Sequence, residues 1–202
     1  PAPVNNGISA TTSPNICATV SDPNGGNLRV RFYGRKKPTG GSGKFSIIML
    51  PDTQYYTEEP QGNHQGGNAS MFNSQTAWIV ANRVLKNIVY VGGLGDCVQN
   101  GDDPPGSNNQ IEWNRVVTAM SPIESPAQTG LPEGIPFGLS VGNHDQTPIG
   151  NPSGTSTYFN QFFGFSHFNG RSYYGGRYGT SNNDNHYQLF TASGIDFLVI
   201  SF

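Results

Sequence analysis

Beyond residue 43 the chain alternates short apolar runs with longer segments in which apolar residues recur every three or four positions. Residues 45–50 (Phe-Ser-Ile-Ile-Met-Leu) are mostly apolar, the pattern of a strand buried on both faces, and stop at Pro51-Asp52. Residues 70–86 place Phe72, Ile79, Val80 and Val84 at roughly helical spacing. A second apolar run, 87–94, ends at Gly95-Asp96. A polar loop over 99–109 leads to a second predicted helix, 110–120, with Trp113, Val116, Val117 and Met120 on its apolar side. A third strand, 138–141, ends at Gly142-Asn143-His144-Asp145. Strand, helix, strand, helix, strand in this order predicts βαβ units, hence an α/β fold with a parallel or mixed sheet and helices on its faces. Farther on, 155–163 read as a short aromatic-rich helix and 170–185 as a Tyr/Gly/Asn loop. Residues 186–191 and 195–202 read as two strands about the turn Ala192-Ser193-Gly194.

The first 37 residues follow a different pattern. Short alternating runs at 16–20 and 28–33 flank Ser21-Asp22-Pro23-Asn24-Gly25-Gly26-Asn27, a segment dense in turn formers, so a β-hairpin is expected there. Two strands cannot form a stable core alone. The piece therefore packs on the main domain or is the end of a β-sandwich module, and its Val-Ser-Asp-Pro-Asn-Gly-Gly wording resembles extracellular Ig-like repeats. The expected organisation is a β piece at 1–37, a Pro/Gly/Ser linker at 38–43, and an α/β domain at 44–202. Because the sequence stops inside an apolar run, the expectation is a fragment whose domain lacks its C-terminal part.

Composition narrows the classes. The formal net charge of -2 gives no Lys/Arg stripe to neutralise phosphates, which argues against a nucleic-acid binder. The densest basic run, 29–37, reads as a strand with a solvated face. Only 12% of residues are charged, with polarity supplied by Asn, Ser, Thr and Tyr, a profile common in exported proteins; a secreted, cell-surface or periplasmic location is expected. No apolar run reaches the length of about 20 residues needed to span a bilayer. Cys17 and Cys97 lie in different predicted modules and read as two buried thiols rather than a disulfide, with no metal-type spacing. Asn68-Ala69-Ser70 is a glycosylation sequon.

The chemistry sits at the strand ends. Asp52, Asp96, Asn143 and His144 follow successive buried strands, and ligands of open α/β sheets sit beyond the carboxyl ends of the strands. Carboxylate and amide oxygens are hard ligands, and a carboxylate can bridge two cations; a pair of metals about 3.5–4 Å apart is a common device for attacking phosphate esters. Asp and Asn also favour strand-to-loop turns for conformational reasons, which explains any one motif but less readily three in this order.

Asp-x-Gln at 52–54, Gly95-Asp96 and Gly142-Asn143-His144-Asp145, taken together, resemble the calcineurin-like metallophosphoesterase superfamily over residues 44–202. The resemblance implies an α/β sandwich, with mixed sheets and flanking helices, around a dinuclear centre of divalent or trivalent ions (Mn, Fe, Zn, Mg or Ca). It further implies hydrolysis of phosphate mono- or diesters by metal-bound hydroxide. Asp52 would bind the first metal with Gln54 as a weaker neighbour, Asp96 would bridge both, and Asn143 would bind the second. His144 would contact the phosphate and protonate the leaving oxygen, with Asp145 polarising it. The family has His where Gln54 stands, and its later Gly-His-x-His signature occurs nowhere here, as expected of a domain continuing past residue 202. The alternative is a non-catalytic extracellular structural or surface-binding protein that reuses the scaffold.

Other candidates carry less. His64 reads as solvated, His167 as part of an aromatic cluster, and His186 as a residue bordering the pocket or simply packed. Tyr173, Tyr174 and Tyr178 line a substrate cleft or pack their own loop. Cys97 reads as a small buried filler, since nothing beside it would activate a thiolate.

Overall fold

The computed structural model of the protein describes residues 43–58, 66–102, 108–180 and 182–202. The hairpin expected in 1–37, most of the linker and His64 lie outside the described residues.

The described chain is mixed α/β, with one parallel and one antiparallel sheet. The parallel sheet has the order β1-β2-β3, from β1 (Ser46–Leu50), β2 (Ile88–Gly93) and β3 (Phe137–Leu139). Between β1 and β2 come α1 (Gln54–Thr57) and α2 (Ala69–Asn82); between β2 and β3 come α3 (Asn108–Glu124) and α4 (Pro126–Thr129). After β3 follow α5 (Thr157–Phe163), α6 (Phe165–Phe168), then β4 (Tyr174–Arg177), β5 (His186–Ala192) and β6 (Ile195–Ser201), which pair in that order as the antiparallel sheet.

Strand pleating sorts the parallel sheet into two faces. Ile48 pairs with Val91, Val91 with Phe137, and Leu50 and Leu139 both pair with Gly93. Those side chains join Phe72 and Ile79 of α2 and Trp113, Val116 and Met120 of α3 in one apolar core. On the other face, Tyr90 stacks on Phe190 of β5 at 4.8 Å between ring centroids, and its hydroxyl donates to Gln188 Oε1 at 3.1 Å. Gly138 faces the same carboxamide so closely that any side chain at 138 would overlap Gln188. Helices, parallel sheet and antiparallel sheet therefore stack as three layers.

The aromatic-rich segment after β3 seals the helical side. Trp113, fully buried, stacks on Phe162 and meets Phe159 and Phe163 edge-on or tilted. His167 sits among Phe137, Phe163 and Phe168 as the sequence suggests, and its Nε2 contacts Glu124 Oε2 at 2.9 Å beside Arg171.

Several boundaries differ from the expectation, each for an identifiable reason. β1 is not buried on both faces: Ile47 and Met49 are 38% and 45% exposed, because β1 is an edge strand and the second sheet docks on β2 and β3. The helix expected to 86 ends at Asn82, and Val84 is 76% exposed in a turn that Asn87 completes with φ of 47°. Its start is capped by Asn68, whose side chain accepts from Ser70 N at 3.0 Å, so the sequon residues form an N-cap. The 110–120 helix is longer at both ends and carries Pro122 near its C-terminus, and Val117 is partly exposed. β3 starts one residue before the expected 138–141 and ends two residues sooner. Inside the expected 170–185 loop lies β4, whose Tyr-Gly-Gly-Arg lacks alternation and is a strand through pairing Tyr174 with Gln188 and Arg177 with His186. The turn between β5 and β6 places Ser193 and Gly194 at φ of 47° and 72°, as a tight two-residue hairpin turn requires.

His186 is packed: it is 2% exposed, stacks on Phe168, and its Nδ1 meets the Asn183 carbonyl at 2.7 Å. Burial holds its imidazole below the usual value, opposed by the Asn183 hydrogen bond and Asp184. The unfolded chain therefore takes up a proton that the folded chain resists, so this residue's contribution to stability is present at high pH and fades as pH falls through about 6.5. Urea midpoints measured from about pH 8 to about pH 5 should drop less steeply in His186→Phe than in the parent. Trp113→Ala should cost about 3–5 kcal/mol in the same assay, and Val84→Ala less than about 0.5 kcal/mol.

Candidate functional site

All three polar motifs lie beyond the carboxyl ends of neighbouring parallel strands: Asp52 after β1, Asp96 after β2, Asn143 and His144 after β3. The ends of β2 and β3 come together through glycine. Gly95 adopts φ of 102°, and a Cβ there would lie 2.9 Å from the Gly142 backbone; a Cβ on Gly142 would overlap Asp96 N and Oδ1. Asp96 itself adopts φ of 46°, a left-handed conformation that costs a non-glycine residue about 1–2 kcal/mol and is held by its surroundings.

The segment after Asp96 has no regular secondary structure, yet its amides are accounted for. Cys97 N and Val98 N donate to Asp145 Oδ2 and Oδ1 at 3.1 and 3.2 Å. Gln99 N and Asn100 N both donate to Glu112 Oε2 at 2.8 and 2.9 Å. The Cys97 carbonyl accepts from the hydroxyls of Thr53 and Thr57 at 3.2 and 2.9 Å, which ties the loop after β1 to the same segment. Asp145 also accepts from Gly142 N at 2.9 Å, closing the Gly-Asn-His-Asp turn on itself. It is fully buried, and burial pushes its carboxyl up to about 7, against the three amides and with Asp96 adding to the rise.

This clamp fixes His144 by three contacts. Its N–H donates to Asp96 Oδ1 at 2.9 Å, its carbonyl accepts from Gly101 N at 3.1 Å, and its ring Nδ1 lies 2.9 Å from the Gln99 carbonyl. A carbonyl only accepts, so Nδ1 carries the proton and Nε2 is the nitrogen left to exchange one. The partner of the His144 ring is thus the Gln99 carbonyl. Asp145, expected to polarise the ring, is directed at backbone amides instead, because the loop it holds offers two donors and its own turn a third, all needing an acceptor in a buried place.

The remaining site residues divide. Asp52 and Asn143 are exposed, and the Asp52 carboxylate makes no hydrogen bond to a described residue. Gln54 is buried, and its amide nitrogen donates to the Gln99 side chain at 2.7 Å, so this carboxamide is turned to a neighbouring amide. Cys97 is a free, buried thiol; burial, then Asp145 and Asp96, push it well above the usual value, as suits a filler and not a nucleophile. Among the described residues, no group of three His, Cys, Asp or Glu side chains is gathered to hold a metal. The oxygens of the predicted site residues that remain uncommitted are those of Asp52, the second oxygen of Asp96, and the side-chain oxygens of Asn143 and Gln54, all hard donors that suit Mg, Mn or Ca better than a soft ion.

Sequence reading missed Gln99 and Glu112. Gln99 contacts three of the site's elements, through its side chain, its carbonyl and its amide. For Glu112 a signal existed: it lies on the buried stripe of α3, one residue before Trp113 and four before Val116, where a fully buried carboxylate requires a partner.

Over 156 residues, 77% of this chain, the sequence is 31% identical to Uncharacterized protein YvnB of Bacillus subtilis (strain 168), and it spans 10% of that protein's length. No family model matches the chain, and no solved structure matches it. Among the described residues, no helix is long and apolar enough to cross a membrane.

The amides of residues 97–100 should resist hydrogen exchange although they lie in a loop. Glu112→Gln should lower protection at Gln99 and Asn100 more than at Cys97 and Val98. Gly142→Ala should destabilise severely, whereas Gly150→Ala, at φ of 75° with nothing within 4 Å, should cost only about 1 kcal/mol by chemical denaturation.

Proposed function

We propose that residues 44–202 belong to a metal-dependent phosphoester hydrolase of the calcineurin-like metallophosphoesterase type. The observation that carries the reading is the 2.9 Å hydrogen bond from His144 N–H to Asp96 Oδ1, which joins the Gly-Asp and Gly-Asn-His-Asp motifs at adjacent strand ends. Asp52 and Asn143 are exposed oxygen donors that follow the ends of the flanking strands β1 and β3. These residues would hold one or two hard divalent ions, Asp96 through the oxygen not bonded to the His144 amide. Such ions would lower the pKa of an attacking water and draw charge from the phosphoryl oxygens.

The chain's own groups supply the rest. Asp96 is kept in its left-handed conformation by the Gly95–Gly142 approach, which leaves one oxygen on the His144 amide and the other for a cation. His144, held through Nδ1 by the Gln99 carbonyl, presents Nε2 as the proton donor to the leaving oxygen or as a hydrogen-bond partner of the phosphoryl group. Gln54 is bonded to Gln99, so its role is to steady that residue, and any contact to the first metal runs through its remaining oxygen.

A second reading, a non-catalytic scaffold, is favoured by the same Gln54–Gln99 bond and by the lack of a gathered His/Cys/Asp/Glu group among the described residues. Calorimetric Mn2+ titration and aryl phosphate hydrolysis separate the two. Asp96→Asn should weaken metal affinity by at least about tenfold, while His144→Ala should leave it unchanged and lower turnover by about 10²–10⁴-fold. Hydrolysis that survives both substitutions would refute the catalytic assignment, and an inert parent chain that binds no metal would favour the scaffold.

A further inference from the structure

A cleft of about 520 Å3 opens beside the turn that carries His144, large enough for a small organic group. One wall is the loop after the Gly-Asn-His-Asp turn, bearing Gln146 and Asn151. That loop is anchored to the turn: Gln146 N and Gly150 N both donate to the Asn143 carbonyl, at 3.4 and 2.9 Å. The other wall carries Tyr178, Asn182, Asp184 and Asn185. Asp184 pins this wall to the start of α5, accepting from Asn160 Nδ2 at 2.6 Å and from Ser156 N at 3.4 Å. The cleft is thus held on one side by the turn that carries His144 and on the other by the start of α5.

Its chemistry is specific. Four carboxamides line it; that of Asn182 is engaged at both ends, donating to Thr155 Oγ1 at 3.5 Å and accepting from Asp184 N at 3.4 Å, which leaves Gln146, Asn151 and Asn185. Gln146 Oε1 is buried without a hydrogen-bond partner among the described residues, a situation that costs about 1–3 kcal/mol unless a ligand supplies a donor. Asn151 engages its oxygen with Ser153 N at 3.1 Å, and its NH2 group makes no hydrogen bond to a described residue. Asn185 is exposed, and its side-chain amide likewise has no described partner. Among the described residues no cation lines the cleft: neighbouring Arg177 lies over Phe165 at 4.0 Å and donates to the Thr180 carbonyl at 2.5 Å. Asp184 is the charged group in the lining, so a second phosphate or a carboxylate would be repelled. Tyr178 adds a ring that is 83% exposed, an apolar platform with a polar tip.

We propose that this cleft is a subsite for a neutral polyhydroxylated group, a sugar or cyclitol. Its hydroxyls would donate to Gln146 Oε1 and accept from Asn151 and Asn185, with one C–H face against Tyr178. As the place that holds the organic part of a phosphoester, it rests on the hydrolase reading; as a polyol-binding cleft, it does not.

The test is an NMR titration of the 15N-labelled chain with glucose and with myo-inositol in EDTA, which removes any dependence on metal. A blocked dipeptide serves as the comparison probe. The expected result is saturable shifts at the side-chain amides of Gln146, Asn151 and Asn185 with a dissociation constant on the order of 1 mM. The variants Asn151→Ala and Asn185→Ala, at a half-buried and an exposed position, should weaken binding by about tenfold, one 1.4 kcal/mol step, while leaving the rest of the spectrum in place. In a second arm, the same variants should raise KM for a sugar phosphate and leave aryl phosphate hydrolysis unchanged. Polyol binding without any hydrolysis would support the cleft and count against the hydrolase. Aryl phosphate hydrolysis with no polyol shifts, shifts that persist in both variants, or tighter binding of the dipeptide at the same amides would overturn the proposal.

Discussion

Two buried carboxylates hold the site together. Asp145, arriving after β3, and Glu112, arriving from α3, accept the four consecutive backbone amides of residues 97–100. A loop of this kind would otherwise leave those donors unpaired inside the protein, at about 1–3 kcal/mol each. The carboxylates have the complementary problem, since a buried acid without donors is costly and shifts toward its neutral form. Each group answers the other's requirement. The consequence reaches His144, whose N–H, carbonyl and ring are all fixed by the same 96–101 segment.

The layers make this arrangement possible. Parallel pairing brings three strand ends to one edge, and right-handed βαβ connections put α2 and α3 on one face. The second sheet closes the other face through Gln188, which fits only because residue 138 is glycine. Glycine is used in the same way at 95 and 142, where two backbones approach too closely for any side chain. Asp96 is then placed against the His144 amide by backbone geometry, before any ligand is considered. Thr53 and Thr57 complete the join by donating to the Cys97 carbonyl, so the loops after β1, β2 and β3 are linked.

Much of the fold was legible because its signals are local. Apolar runs ending at Asp-bearing turns, separated by helical periodicity, led directly to the parallel sheet. Where reading failed, the deciding fact was a distant neighbour. Ile47 and Met49 are as apolar as their strand mates but lie at an edge, and apolar character does not imply burial. Tyr174 to Arg177 form a strand only because β5 lies alongside. In the site, the residue types at 52, 96, 143 and 144 announced oxygen and nitrogen chemistry, whereas their assignments depended on what faces them. Asp145 looked like a partner for the adjacent histidine, yet two of its three partners come from nearly fifty positions earlier in the chain. Gln99 was unreadable for the same reason: its contacts to Gln54, Glu112 and His144 come from three separate elements.

The central claim is that this clamp presents Asp52, Asp96 and Asn143 as oxygen ligands at one strand edge. Crystals soaked in Mn2+ and recorded at a wavelength where manganese scatters anomalously test it most directly. The expected result is an anomalous peak within about 2.0–2.6 Å of a carboxylate oxygen of Asp96 and of an oxygen from Asp52 or Asn143, the range of hard-cation bonds to oxygen. Peaks confined to other surfaces, or none when the soak is saturating, would contradict it.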